Sequence, residues 1–155
     1  MAKIQDRIIL IILSGTVSAV IANLFGYLCK LIDPNTAVMP EVAAELFLHH
    51  PYIHTFLGMV FGNVWSFAVG GLHAFAYVYT LDFTGWRYLL IKSLTITNVG
   101  WLLGVGIMFK ALNIADQTHK DPLGMVFFYL AHIVYACVSA FIVNKYGERP
   151  NHFNR

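Results

Sequence analysis

The chain has 155 residues, of which 58% are hydrophobic and only 12% are charged. Soluble globular proteins have about a quarter of their residues charged, so a water-soluble domain is excluded. The net charge is +2 and the basic residues are scattered, whereas nucleic-acid binding needs a dense basic surface. The composition therefore predicts an all-α integral membrane protein with no nucleic-acid partner.

The first predicted element is a membrane-spanning helix at about residues 8–31. Its core, Ile8 to Cys29, is uncharged, and about 20 helical residues cross the hydrocarbon core of a bilayer. Lys3 and Arg7 precede it, as basic residues precede a signal peptide, but the apolar run continues well past the cleavage-like residues 17–19. The sequence therefore favours an uncleaved helix.

The loop after this span contains a predicted amphipathic helix at about residues 41–50. Glu41, Glu45 and His49 recur at every fourth position, so they align on one helix face. Carboxylate and imidazole groups are ligands for a divalent metal, which makes these residues a candidate metal site. A solvated face on a helix that lies in the membrane interface explains the same pattern without a metal, and this interpretation is preferred.

Three further spans are predicted at about residues 52–80, 88–110 and 122–145. The second span lies within a 36-residue stretch without formal charge, and Pro51 marks the beginning of the span. The third is bracketed by Lys92 and Lys110, whose side chains can extend to the headgroups. Pro122 is well placed in the first turn of the fourth. We therefore predict a single membrane domain, residues 1–155, that folds as a four-helix bundle.

Lysine and arginine are distributed unequally between the two sides of this domain. Seven lie at the termini and in the loop between the second and third spans, and three lie at the opposite side. Basic residues are retained on the cytoplasmic side during insertion. The predicted location is the cell membrane, such as a bacterial inner membrane, with both termini cytoplasmic.

A weak internal repeat relates the second and fourth spans. Residues 57–61 and 123–127 both read LGMVF, at an offset of 66 residues. Two duplicated helical hairpins would be related by an axis along the membrane normal. Chance identity within the restricted alphabet of membrane helices also explains the match, so duplication stays an open alternative.

Small residues in the spans indicate close helix packing. Gly58 and Gly62 form a GxxxG motif in the second span, and Gly100 and Gly104 form another in the third. Because lipid provides no hydrophobic drive for helix association, such faces are expected to meet inside the bundle. Cys29 and Cys137 are interpreted as small apolar fillers.

Four strongly polar side chains, Asn23, Asn63, Asn98 and His132, are expected near the middle of the membrane. A rise of about 1.5 Å per residue, counted from the outer helix ends, places them at similar depths and predicts one cluster. The cluster either forms interhelical hydrogen bonds that hold the spans together or is a site for a proton, an ion or a small solute. The same count places His73 about 15 Å from His132, which disfavours a haem held by both.

These features predict assembly or binding, and the protein is not expected to be an enzyme. No nucleophile elbow, P-loop, HExxH or dinucleotide motif is present in the sequence, and short loops leave little room for a catalytic domain. The first hypothesis is a structural or accessory subunit that packs in lipid with its own copies or with other membrane subunits. The alternatives are a small oligomeric transporter or channel that uses the Asn/His cluster, and a metal or haem binder. No cofactor is predicted.

Overall fold

A computed structural model of the protein describes residues 3–112 and 114–148, whose regular elements are all helices. The helices are α1 (Arg7–Ile32), α2 (Met39–Glu45), α3 (His50–Ile53), α4 (Phe56–Thr84), α5 (Leu89–Leu112), α6 (Asp116–Lys120) and α7 (Pro122–Tyr146). By length and composition, α1, α4, α5 and α7 are able to cross a membrane. The prediction of a helical protein with four candidate spans is therefore confirmed.

The second span begins later than predicted, at Phe56 rather than at residue 52. Residues His50–Ile53 form the separate short helix α3. The hydroxyl of Thr55 accepts a hydrogen bond of 3.1 Å from the backbone N–H of Gly58. A threonine in this position caps a helix start, because the first backbone N–H groups of a helix have no partner within it.

Polar contacts join α1, α4 and the residues after α7 at the end of the molecule near Arg7. The Nε of Arg7 lies 3.0 Å from a carboxylate oxygen of Asp82, and its Nη1 donates to the carbonyl of Glu148 at 2.9 Å. The guanidinium also lies 5.0 Å from the ring centre of Trp86. The charge of Asp82 is thus paired where α4 continues to Thr84, beyond the predicted end at residue 80.

The four long helices do not pack equally closely. Helix α1 contacts both α4 and α7, and α5 packs more extensively on α7 than on α4. At Gly15 of α1, an added Cβ would lie 2.8 Å from the Cα of Gly71 and 2.9 Å from the carbonyl oxygen of Gly70. Only a glycine allows the α1 and α4 backbones to approach so closely. The weaker packing between α4 and α5 leaves a gap between these two spans.

The segment predicted as one interfacial helix is divided, and its first part, in α2, is buried. Helix α2 ends at Glu45, and α3 begins five positions later. The side chains of Val42 and Ala44 are 2% and 0% exposed, and Val42 belongs to a cluster with Val105 of α5 and Phe128 of α7. The loop therefore packs among the spans, whereas the prediction placed it on the membrane surface.

The GxxxG motif of α4 contacts this loop. A Cβ at Gly58 would overlap the carbonyl oxygen of Tyr52, and a Cβ at Gly62 would overlap that of Pro40. Both glycines are thus required by the close approach of the loop backbone. The prediction that this motif meets another span was wrong, because its face is covered by α2 and α3.

Candidate functional site

A lateral cleft of about 400 Å³ lies between α4 and α5. Met39 and Val42 of α2 border it, and aliphatic side chains such as Leu72 of α4 and Leu103 of α5 form its walls. Leu72 and Leu103 are 67% and 55% exposed. The cleft is therefore open at the surface of the protein, and in a bilayer crossed by α4 and α5 this opening would face lipid.

The α5 wall of the cleft departs from α-helical geometry. Residues Leu102–Phe109 are π-helical, between the α-helical segments Leu89–Trp101 and Lys110–Leu112. Within the π-helical stretch, a Cβ added at Gly104 would meet nothing within 4 Å. Gly104, unlike the other three motif glycines, is therefore not required by a packed neighbour. Stretches of π-helix are rare in proteins, and those that do occur are often found at functional sites.

Two histidines from different spans, His73 of α4 and His132 of α7, line both this cleft and an adjoining internal cavity. The Nδ1 of His73 lies 3.0 Å from the carbonyl oxygen of Val69, and that of His132 lies 2.9 Å from the carbonyl oxygen of Phe128. A carbonyl oxygen only accepts, so we assign the proton to Nδ1 in each ring, and Nε2 of the neutral imidazole is an acceptor. Neither Nε2 has a hydrogen-bond partner among residues 3–112 and 114–148.

The orientation of each imidazole is restricted by its neighbours. The ring centre of His132 lies 4.7 Å from that of Trp101 and 5.0 Å from that of Phe128, both in edge-to-face geometry. His73 occupies the notch at Gly100, where an added Cβ would overlap its Nε2. Of the four predicted packing glycines, Gly100 is thus the one that meets another span.

The internal cavity has a volume of about 40 Å³, which is enough for one or a few water molecules. Asn23 of α1 and Ser66 of α4 line it and exchange hydrogen bonds of 2.9 and 3.2 Å. Thr97 of α5 lies on another side. This pair uses one of the two N–H donors of the Asn23 amide, and it leaves Nε2 of both imidazoles without a partner in the described part of the chain.

The structure brings together only part of the predicted polar cluster. Asn23 and His132 line the same cavity. Asn63 donates at 2.8 Å to a carbonyl of its own helix, and Asn98 is exposed, accepting a hydrogen bond of 2.9 Å from Tyr129. Depth does not determine which side of a helix faces inward, and for this reason the prediction of a single cluster was wrong.

The prediction that His73 lies apart from His132 was also wrong. The depth count assumed that all spans begin at one level, but α4 is the longest, with 29 residues, and its first turns pack against the loop. A sequence signal for His73 existed. His73 follows Ser66 and Gly70 at helical spacing, so it lies beside the row of small residues of α4 that faces inward. The depth argument against a haem held by both histidines therefore no longer applies.

The predicted metal ligands do not converge. Glu41 pairs with Lys30 at 2.5 Å, and Glu45 accepts a hydrogen bond of 3.0 Å from the backbone N–H of Ala115. His49 is exposed and lies beyond the end of α2, so the three residues no longer share one helix. Within the described part of the chain, no three His, Cys, Asp or Glu side chains form a group able to hold a metal.

Hydrogen bonds join the segment that precedes α2 to the residues of α6 and the start of α7. The hydroxyl of Thr118 donates to the carbonyl of Asn35 at 2.6 Å, and the side-chain amide of Asn35 donates to Asp121 at 3.1 Å. The second bond lowers the pKa of the Asp121 carboxyl below its ordinary value. Together with the contact from Glu45, these bonds restrain the loop that borders the cleft.

No protein-family model matches the chain, and no similar curated protein or solved structure was found by comparison.

Proposed function

We propose that the protein is a non-enzymatic, multi-pass membrane protein that binds a lipid-soluble molecule in the cleft between α4 and α5. The observation that carries this proposal is a lateral opening of about 400 Å³ with aliphatic walls and two imidazoles in its lining. Small-molecule sites are typically about 300 to 1,000 Å³, mostly apolar, and contain a few convergent polar groups.

Two features of the protein indicate that the cleft is a ligand-binding site rather than a packing defect. The α1 and α4 backbones meet at the limit set by Gly15, so close packing is attained elsewhere in the protein. An open cleft loses dispersion contacts along its walls, and an occupant restores them. The π-helical stretch Leu102–Phe109 follows the same wall, as expected where a functional site interrupts regular packing.

The lining of the cleft also favours an uncharged molecule. None of the described residues around it is Asp, Glu, Lys or Arg. A charge buried there would lack a counter-ion, at a cost of several kcal/mol or more. This disfavours the alternative of an ion pathway through the cleft.

Replacing Gly104 by leucine tests the proposal, because nothing lies within 4 Å of an added Cβ and the new side chain would fill the cleft. The probe is a long-chain alcohol that carries a photoreactive diazirine, and labelled residues are located by peptide mass spectrometry. We expect labelling of the cleft to fall about tenfold, equivalent to about 1.4 kcal/mol of binding free energy.

The matched control is Gly71→Leu in α4. Gly71 also has nothing within 4 Å of an added Cβ, but it does not line the cleft. This variant should be labelled like the unmodified protein. Equal labelling of the cleft in all three proteins would contradict the proposal.

We further infer that the four spans form a bundle in the cell membrane with both termini cytoplasmic. The support is the excess of basic residues on the side of the termini. Reporters fused to each terminus, active only in the cytoplasm, test this orientation.

The duplication of a helical hairpin also remains a proposal. The equivalent glycines of the two LGMVF segments, Gly58 and Gly124, have similar neighbours. Gly58 packs against the loop carbonyl of Tyr52, and a Cβ at Gly124 would lie 3.3 Å from the loop carbonyl of Asn35. A common role at the start of two spans is what a duplication would preserve.

A second candidate function is that of an accessory subunit that assembles with its own copies or with other membrane proteins. It is favoured by Asn98, whose side chain is exposed on a span and bonded to Tyr129. An amide has two N–H donors, and exposure of such donors to lipid is costly. A neighbouring protein would provide acceptors.

Cysteine crosslinking tests this second candidate. With Cys29 and Cys137 replaced by alanine, we expect Asn98→Cys to form disulfide-linked dimers when membranes are oxidised. Leu24→Cys, on an exposed position of α1, is the matched control and should remain monomeric. Equal crosslinking at both positions would indicate random collision and contradict a specific homo-oligomer.

A further inference from the structure

We infer that the molecule bound in the cleft is an uncharged lipid whose polar end is a hydroxyl group, and that this hydroxyl donates a hydrogen bond to Nε2 of His73 or His132. The inference rests on the proposed function. It adds the chemistry of the ligand's polar end and the residues that recognise it.

The hydrogen bonds of the two rings determine which ligand groups they can bind. Nδ1 of each ring donates to a carbonyl of its own helix, of Val69 or of Phe128. Each Nε2 is therefore an acceptor, and neither has a partner in the part of the chain that the structure describes. A carbonyl or ether oxygen is also an acceptor, so it does not complement these rings, whereas a hydroxyl does.

Doubly protonated rings would reverse this preference, but their surroundings oppose the charge. No carboxylate is among the described residues that line the cleft or the internal cavity. An imidazolium between these spans would have no counter-ion, and an unpaired charge in such an environment is costly. The same reasoning disfavours an ammonium group as the donor on the ligand.

The shapes of the two spaces fit the two ends of such a molecule. The internal cavity of about 40 Å³ accommodates a group of the size of a water molecule. The cleft of about 400 Å³ accommodates an apolar body. Met39, Val69, His73 and His132 line both spaces. A hydroxyl in the cavity and a chain in the cleft can therefore belong to one molecule.

The test compares two diazirine probes of equal chain length, one ending in a hydroxyl and the other in a methyl ether. We expect the unmodified protein to be labelled in the cleft about five- to tenfold more by the alcohol, because the ether offers no donor. This comparison uses only the unmodified protein, so it does not depend on whether a variant folds. In the double variant His73→Phe/His132→Phe the preference should fall toward equality, and the two single variants identify which ring accepts the hydrogen bond. His49→Phe, at an exposed loop position, should retain the preference.

The outcomes separate this inference from the proposed function. Equal labelling by both probes, with both blocked in Gly104→Leu, would overturn the hydroxyl inference and leave the proposed function standing. Labelling that Gly104→Leu does not reduce would overturn both. Purified protein with a haem absorption band that is lost in His73→Phe would also overturn the inference, because iron would then occupy the Nε2 atoms.

Discussion

Replacing Gly62 by alanine is expected to destabilise the protein by about 1 to 3 kcal/mol, the usual cost of overpacking a close contact. The added Cβ would overlap the carbonyl oxygen of Pro40 and lie 3.2 Å from the Cβ of Ala44. Pro40 and Ala44 are both fully buried, so α2 cannot move away without losing its own contacts. Thermal unfolding of the purified protein in detergent, followed by circular dichroism, measures the effect.

Gly71→Ala is the matched control, because it adds the same methyl group to the same helix where nothing lies within 4 Å. Here we expect stabilisation by about 0.5 to 1 kcal/mol, since alanine is a better helix former than glycine. The two variants should therefore change the melting temperature in opposite directions. Equal melting temperatures would contradict the described position of α2 against α4.

The four candidate spans could be predicted because they depend on quantities that a linear sequence contains. The length of an uncharged run and the rise of a helix decide whether a segment crosses a bilayer. The largest differences lie at the two ends of α4, which begins at Phe56 rather than at residue 52 and continues past Asp82 to Thr84. At this end of α4 the charge of Asp82 is paired with Arg7, a residue far away in the sequence, and this pairing is visible only in the folded protein.

The position of the loop between α1 and α4 could not be predicted in the same way. An amphipathic segment around Val42 has the same pattern whether its apolar side faces lipid or other helices. What decides between these alternatives is the contact between Pro40 and Gly62. A glycine in a span indicates a close neighbour, but it does not indicate which segment that neighbour is.

The candidate site was predicted in part, for a related reason. Polarity identified Asn23 and His132 as buried groups, and both line the internal cavity. Polarity also identified Asn98, which lies on the exposed side of α5. The depth of a residue along a helix and its direction around the helix are independent, and only the first was used for Asn98 and His73.

Replacing Tyr77 by alanine is expected to destabilise the protein by about 3 to 5 kcal/mol, as for other large buried side chains. Tyr77 of α4 is 2% exposed and belongs to a buried cluster with Leu10 of α1 and Val143 of α7. Its hydroxyl donates to the carbonyl of Leu89 at 3.0 Å, which joins α4 to the first turn of α5. Thermal unfolding in detergent again provides the measurement.

Tyr77→Phe separates the two contributions, because it retains the ring and removes only the hydrogen bond to Leu89. The expected cost is about 1 kcal/mol. If both variants lost the same stability, the ring would not be packed as described.

The hydrogen bond between Tyr77 and Leu89 also concerns the cleft, because it connects α4 and α5, the two helices whose separation forms the cleft. A cleft built for a ligand requires α4 and α5 to be held together at one point and apart at another. Tyr77→Phe should therefore also reduce labelling of the cleft by the diazirine alcohol. Labelling equal to that of the unmodified protein would contradict this role of the hydrogen bond.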